Sequence, residues 1–438
     1  MTTHEDSTSL KRVFGLPALV IYGVGDILGA GIYAVIGDIT KPSASLVWVS
    51  FIVAMVVAAF TALSYAELGG RLPRCGGVAH FVHQAFRTEW LSVLVGWLMF
   101  CTCLVSMATI SKAFAGYLMA SLPGLPEWFL IISLFAALGY VNFRGMKESS
   151  LLNLICTVVE VSGLLIVILV AGSFLFGGAA AAAAPVTFTE PALGWTGIIN
   201  GASIAFYAFI GFEDIVNVAE EVKDPERNVP RGIVLSLAIA GVIYIAVSWL
   251  AVQVLNPAEL SASNAPLLSV VSRAQPNFPK LIFTLIPIFA VMNTALLNFV
   301  TASRLVFGMA REGLIPAWAG KLHPERATPY RAILVILAIV TVIALAGTRE
   351  LLAGTTATLI LIMFVLTNLS LLVIKQREPI ISGFRVPIAV PVIAMLLNLV
   401  LIVYAQQKSH FFALGFMGIG ILLILLQNAV RKRQLPSI

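Results

Sequence analysis

Charge is what this chain has least of. Of its 438 residues, 11% are Asp, Glu, Lys or Arg, while 59% are hydrophobic. Soluble domains carry roughly 25% charged residues, so the polar material here cannot cover a water-facing surface of this size. That excludes soluble enzymes, disordered regulators and secreted disulfide scaffolds. Cysteine is also scarce: Cys75, Cys101, Cys103 and Cys156. Three of the four lie inside apolar runs and read as packing residues rather than a disulfide framework. The first ten residues are polar, with His4, Glu5 and Asp6. They lack a basic segment leading into a cleavable apolar core, so the first apolar run is expected to stay in the mature protein. Neither end carries a lipidation motif. A net charge of +6 suggests basic loops and no nucleic-acid patch.

What the sequence does have is long apolar runs. A membrane helix needs about 20 such residues, and runs of that order fall at 15–37, 43–67, 88–120, 126–142, 151–176, 195–218, 231–255, 279–308, 330–347, 350–374, 387–406 and 410–429. The predicted fold class is therefore an all-α integral membrane protein of about 12 transmembrane helices. Turn formers punctuate the connections, among them Lys41-Pro42, Arg71-Leu72-Pro73, Pro225, Pro230 and Asn256-Pro257. The stretch 177–194 opens as a low-complexity Gly/Ala spacer. With the N-terminus inside, 21 of the 27 Lys and Arg fall on the cytoplasmic side, 5 fall outside, and Lys112 lies within the third span. The bias predicts an even number of spans with both termini cytoplasmic. Residues 1–14 would be one cytoplasmic tail and 430–438 a second, basic one.

Two spans carry unusual patterns. In the first, Gly23, Gly25, Gly29 and Gly31 accompany Asp26 within about three turns. Small residues let membrane helices pack closely, but Gly29-Ala30-Gly31 also reads as a break in the helix. A break frees N–H groups, and the N-terminus of the second half-helix can then hold a carboxylate. A dinucleotide loop is excluded, because no strand precedes the glycines. In the sixth span, Phe206-Tyr207-Ala208-Phe209-Ile210-Gly211-Phe212 leads into Glu213 and Asp214. Interrupted helices at corresponding positions of two halves point to a transporter binding site. Carboxylate at span one and amine at span six would together suit a zwitterion.

Charges inside apolar runs are costly and are functional candidates by default. Asp26, Glu160 and Glu213 qualify. Glu67, Glu220 and Glu221 sit near cytoplasmic ends, where solvation or loop pairing explains them. Arg304 could pair with such acids, and Lys112 could snorkel to the interface. Asp26 and Glu160 are the proton-coupling candidates, and if they face each other they could share one proton. Their alternative reading is as neutral, hydrogen-bonded packing groups. His80 and His83 form half of a metal pattern with no third ligand, so no metal and no cofactor are expected. No nucleophile set, phosphate loop or glycosidase pair stands out.

These motifs resemble those of the amino acid–polyamine–organocation transporters over nearly the whole chain. Gly29-Ala30-Gly31-Ile32-Tyr33 is similar to that family's first break. Phe209-Ile210-Gly211-Phe212-Glu213, followed by 219–231, resembles its sixth span and inner loop. The segment from Glu67 to Gly77 is similar to its loop between spans two and three, and Ala302-Ser303-Arg304 with 309–316 to the end of its eighth span. The resemblance implies a leucine-transporter-like fold: a first inverted repeat over 15–176, a second over 195–374, and two added helices over 387–429. It implies an amino acid permease working by alternating access, as a proton-coupled symporter or antiporter or as an exchanger. Ala30, Gly31 and Ile32, with Gly29, would bind the carboxylate. Phe206, Ala208 and Phe209, with Gly211, would offer carbonyls to the amine. Tyr207 matches a gating aromatic, Glu213 an acid linked to proton-dependent release, and Ser303 the region of a sodium-site hydroxyl. Glu160 departs from the pattern, since some proton-coupled members place a lysine there, and a carboxylate cannot take a lysine's role. Asp26 departs where many members have a small or apolar residue. A polyamine or organic cation carrier, or a transport-inactive sensor of the same fold, is the alternative. The expected partners are an amino acid substrate, protons or else sodium, and the lipid bilayer of a bacterial inner membrane, with the chain a monomer or homodimer.

Overall fold

The computed structural model describes Arg12, residues 14–73, 77–121, 124–144, 146–177, 194–311, Ile315, and residues 317–323, 328–377 and 383–434. Cys75 and most of the Gly/Ala spacer lie outside the described residues. Among the described residues the chain is helical throughout, and its one extended pairing is a bridge between Phe14 and Val222. There Phe14 N–H donates to the Glu221 carbonyl at 3.0 Å, and Lys223 N–H donates to the Phe14 carbonyl at 2.9 Å.

The first span is two helices, α1 (Leu16–Leu28) and α2 (Gly31–Ser43). Then come α3 (Val47–Arg71), a short α4 (Gly77–Phe86), α5 (Glu89–Ser121), α6 (Glu127–Arg144) and α7 (Met146–Phe176). The sixth span starts as α8 (Trp195–Ala205) and continues as two 3₁₀ segments, Phe206–Phe209 and Phe212–Glu221. The rest is α9 (Pro225–Val254), short α10 (Pro257–Ala262) and α11 (Pro266–Ala274), α12 (Lys280–Arg311), α13 (Tyr330–Ala346), α14 (Arg349–Arg377), α15 (Ala389–Tyr404) and α16 (Gln407–Gln434). Among the described residues, nine helices are long and apolar enough to cross a membrane, and three shorter apolar ones add to them. The molecule is an all-α, multi-pass membrane protein.

The expected runs and the helices correspond, but several ends move: the first span runs on to Ser43, the fifth starts at Met146, and the seventh also differs. It starts at Pro225, not at 231, and Pro230 lies inside it. A proline at the first helical position loses an N–H that has no partner there anyway. Pro230 removes one further bond near the helix start, where the chain tolerates it. The connections also hold helices α4, α10 and α11, which a hydropathy count passes over.

Exposure separates the spans. α5 and residues 195–219 are buried over most of their length, whereas α16 is mostly exposed. Large apolar side chains stand outward on α7, α13, α15 and α16, for example Leu169, Val342, Val403 and Leu425. In a bilayer such a face meets lipid. The inner elements pack α3 along α9, α5 along α12 and α14, and α8 between α2 and α3.

Ion pairs fix both ends of α14. At its start, Arg349 Nε meets Asp38 Oδ2 of α2 at 2.8 Å, and Lys41 Nζ meets Asp38 Oδ1 at 2.8 Å. Glu350, which Lys41 reaches at 3.5 Å, also accepts from Gln406. At its end, Lys375 Nζ meets Glu67 Oε2 of α3 at 2.7 Å. The Val386 N–H donates to the same oxygen at 2.8 Å, and Lys375 donates to the Val386 carbonyl at 2.6 Å. Glu67 is thus paired and fully buried rather than solvated. Lys112 pairs with Glu127 at 3.2 Å, tying α5 to α6.

The Asp38 carboxylate is buried while Lys41 is 45% exposed and Arg349 16% exposed. Arg349→Gln is therefore expected to lower the melting temperature in detergent clearly more than Lys41→Gln does. Removing one partner of a buried pair costs several kcal/mol, about 3–5 at most, against about 0–1 for an exposed one. Equal losses in the two variants would show that the arginine is not the principal counter-charge.

Candidate functional site

The first break is built from opposed helix ends. α1 stops at Leu28, with Gly29 at φ −19°, ψ −142°, and α2 restarts at Gly31. The end of α1 and the start of α2 each expose backbone groups that need outside partners. Two are supplied by neighbouring spans. Tyr244 of α9 donates its hydroxyl to the Ile27 carbonyl at 2.5 Å. Thr294 of α12 accepts from Ala30 N–H at 2.9 Å through Oγ1. Gly31, Ile32 and Tyr33 then form the first turn of α2, whose positive end opens into the break.

The second break lies against the first. α8 ends at Ala205, the 3₁₀ turn runs Phe206–Phe209, Ile210 is extended, and Gly211 has φ +131°. A Cβ on Gly31 would stand 2.7 Å from Ala208 Cα. A Cβ on Gly211 would stand 2.9 Å from the Asp26 carbonyl carbon and oxygen. Glycine at both positions lets backbone touch backbone, and at Gly211 it also permits the left-handed φ. The side chains of Phe206 and Phe209 turn away from the break. Phe206 packs on Phe364 (5.8 Å between centroids), and Phe209 on Phe51 and Tyr244 (6.3 and 5.3 Å). Their side chains belong to the core.

The acids divide into two groups. Asp26, Glu213 and Asp214 gather where the breaks meet. Asp26 and Asp214 are joined side chain to side chain, and Glu213 lies in electrostatic contact with both. Glu213 Oε2 accepts from its own neighbour's Gly211 N–H at 2.9 Å, and Asp214 accepts from Asn217 at 2.8 Å. Asp214 is the direct partner of Asp26, because Gly211 carries the second break onto the Asp26 backbone. Glu160 is a weaker electrostatic neighbour.

Glu160 stands apart in α7, fully buried. Tyr33 donates its hydroxyl to the Glu160 carbonyl at 2.9 Å. Asn293 of α12 is the hydrogen-bonding neighbour of its side chain. Even so, Glu160 Oε1, Glu160 Oε2 and Asn293 Oδ1 each lack a partner in good geometry. Ser303 is not brought to this group. It lies nine residues beyond Thr294 on α12, donates to the Val300 carbonyl at 2.9 Å and faces Asn142 at 3.5 Å.

A polar thread joins these parts. Tyr207 and Ser106 of α5 share a hydrogen bond of 3.3 Å; Asn298 donates to Ser106 at 3.4 Å and to the Thr294 carbonyl at 3.0 Å. The motif reading found Tyr207 and noted Asp214 only as the acid after Glu213, but missed Ser106, Tyr244, Asn293, Thr294 and Asn298. The signal available was polarity inside an apolar run. Asn293, Thr294 and Asn298 are one such cluster, and Asp214 adjoins Glu213.

An amino acid permease family model matches residues 14–424. The chain belongs to that family. It sits within the amino acid–polyamine–organocation superfamily, as its motifs indicated. The permease is 27% identical to a branched-chain amino acid permease, BcaP, of Bacillus subtilis (strain 168), over 88% of this chain and 85% of that one. It is 26% identical to a methylthioribose transporter of the same organism, over 90% and 88%. It is 30% identical to cationic amino acid transporter 4 of Mus musculus, over 85% of this permease and 61% of the longer relative. These relatives carry different cargo names, so family membership fixes the scaffold and leaves the cargo to the site.

Tyr244→Phe removes the hydroxyl that closes the Ile27 carbonyl at the end of α1. A hydrogen bond of this kind contributes about 1 kcal/mol, and a buried acceptor left bare costs about 1–3 kcal/mol. The expected result is a melting temperature lowered by a few degrees and weaker substrate binding, read by thermal shift with and without amino acid. Unaltered binding and melting would show that another group closes that carbonyl.

Proposed function

We propose that the protein is a secondary transporter of amino acids that works by alternating access and is driven by protons. The observation that carries this reading is the contact of the two breaks, where the N-terminal end of α2 meets the C-terminal end of α8 across Gly31 and Ala208. Helix N-termini favour anions and C-termini favour cations. A zwitterion bridging the two would have its carboxylate on the Gly31–Ile32 amides and its ammonium on carbonyls of Phe206, Ala208 or Phe209. The gathering of Asp26, Glu213 and Asp214 behind that contact supports proton coupling, because carboxyls joined side chain to side chain share a proton. Residues 15–176 and 195–374 would be the inverted repeats, each beginning with a broken span. The basic bias supports cytoplasmic termini, and a bacterial inner membrane is our reading of the compact connections.

The test is uptake of radiolabelled amino acids into proteoliposomes, with pH and sodium gradients imposed separately and putrescine included in the panel. Accumulation driven by the pH gradient alone supports the proposal. In that case Glu213→Gln is expected to reduce accumulation by about tenfold, within the usual range of coupling factors. Accumulation that requires sodium overturns proton coupling, and binding without accumulation overturns transport.

A further inference from the structure

Two arginines stand at one end of the seam between α6 and α13, one on each helix. The helices close on each other at Gly139, where an added Cβ would stand 2.9 Å from Leu337 Cδ1. At the end of α6, Thr328 Oγ1 donates to the Phe143 carbonyl at 3.3 Å, two residues before α13 begins. Contact of 139 with 337 and of 143 with 328 makes the pair antiparallel and sets Arg144 and Arg331 at one level. The His323 ring fills the space between, 5.3 Å from Phe143 and 6.1 Å from Tyr330.

Each guanidinium is held over a tyrosine. Arg144 lies 5.9 Å from the Tyr140 ring centre and donates to its hydroxyl at 3.2 Å. Arg331 lies 5.6 Å from the Tyr330 ring centre and donates to its hydroxyl from Nε at 3.0 Å. A guanidinium carries five donors, and Tyr330 takes one of those of Arg331. Among the described residues, no carboxylate pairs with Arg331. The first turn of α13 holds no acid, and its amides add positive potential. One turn deeper on the same faces, Tyr140 and Leu334 are both 60% exposed, and in a bilayer they meet lipid. Trp318, in the 3₁₀ turn Ala317–Gly320 that packs on α12 and α13, is also exposed, as is Lys321. Exposed tryptophan and tyrosine of this kind sit at headgroup height.

We infer that this end of the α6–α13 seam binds an anionic phospholipid of the phosphatidylglycerol type, with its phosphate on Arg144 and Arg331 and an acyl chain along Leu334 and Tyr140. The planar guanidinium fork matches a phosphate oxygen pair, and basic pockets between membrane helices suit anionic headgroups. Phosphatidylcholine offers the same phosphate but adds an ammonium that the arginines repel. A free phosphate gains nothing from the apolar turn below. The two helices lie on either side of the 177–194 spacer, so the lipid ties the two halves of the chain together. Nothing in this inference rests on the transport reading.

The test titrates full-length, delipidated protein in nonionic detergent with dioleoylphosphatidylglycerol, dioleoylphosphatidylcholine or inorganic phosphate. Bound lipid is read by native mass spectrometry, and melting temperature is read alongside. Phosphatidylglycerol is expected to bind more tightly than phosphatidylcholine and to raise the melting temperature by mass action. Arg144→Gln and Arg331→Gln are each expected to weaken phosphatidylglycerol binding about fivefold and to leave phosphatidylcholine unchanged. Arg331→Lys, which keeps the charge without the planar fork, is expected to lose part of the preference. Arg231→Gln, the same charge change at an exposed position near the start of α9, is expected to lose none. Equal binding of the two lipids, or a parental preference in all three seam variants, overturns the site and leaves these arginines as topology signals. A loss in Arg231→Gln as large as theirs makes the preference one of net charge and overturns it too. Inorganic phosphate that displaces phosphatidylglycerol and stabilises the protein as well would make the occupant a soluble anion and overturn the lipid assignment.

Discussion

Gly31→Ala is expected to reduce amino acid uptake to background while the protein still inserts and folds. The added methyl would stand 2.7 Å from Ala208 Cα and 3.1 Å from its carbonyl oxygen. Those atoms are backbone, and a close-packed interior has no slack to move them without cost. The two breaks would have to part, separating the anion-binding end of α2 from the carbonyls of the sixth span. Gly211→Ala is expected to be as severe for a second reason: φ +131° is closed to a residue with a Cβ. Gly96→Ala is the control, since nothing lies within 4 Å of the Cβ it would carry. Uptake is compared at equal membrane abundance. Parental uptake in Gly31→Ala would mean that the breaks do not need to touch.

Lys375→Met is expected to produce the largest loss of stability in the molecule. It strands Glu67, which is fully buried and would keep only the Val386 amide. Breaking a buried pair from one side costs about 3–5 kcal/mol, because the remaining charge has no compensation. The double change Glu67→Gln with Lys375→Met removes both charges and is expected to recover much of that loss. Thermal unfolding in one detergent checks all three proteins. A double variant no more stable than Lys375→Met would show that packing around the lysine stem, rather than charge, holds the joint between α3, α14 and the segment before α15.

The spans were legible because the bilayer imposes one rule on every one of them, a long apolar run, and that rule is local in sequence. The two breaks were legible for a related reason. Gly29 and Gly31, and Gly211 near two acids, interrupt a helix through their own residues. Partners were harder to read. Asp26 was visible as a costly charge, but its pairing with Asp214 depends on the turn at Gly211 and the approach of two distant spans. Glu67 looked like a residue at a wet helix end, and its lysine lies 308 positions away in the chain. Thr294 and Asn293 show in the sequence only as polar residues in an apolar run, and their place in the site comes from what α7 and α1 bring to them. Ser303 shows the converse: a motif match found the right helix, but the residues facing Glu160 and the break lie about two to three turns earlier.

The small bridge at Phe14 has a practical consequence. Two backbone bonds splice the head of α1 to residues 221–223, just behind the second 3₁₀ arm. The α1 arm of the first broken span and the second 3₁₀ arm of the sixth are therefore wired together at their far ends, like two levers sharing a crosspiece. A fluorophore attached near Arg12 would report on the sixth span as much as on the first. An affinity tag or fusion partner seated close to Phe14 would load both levers at once, which makes the other terminus the safer place for either.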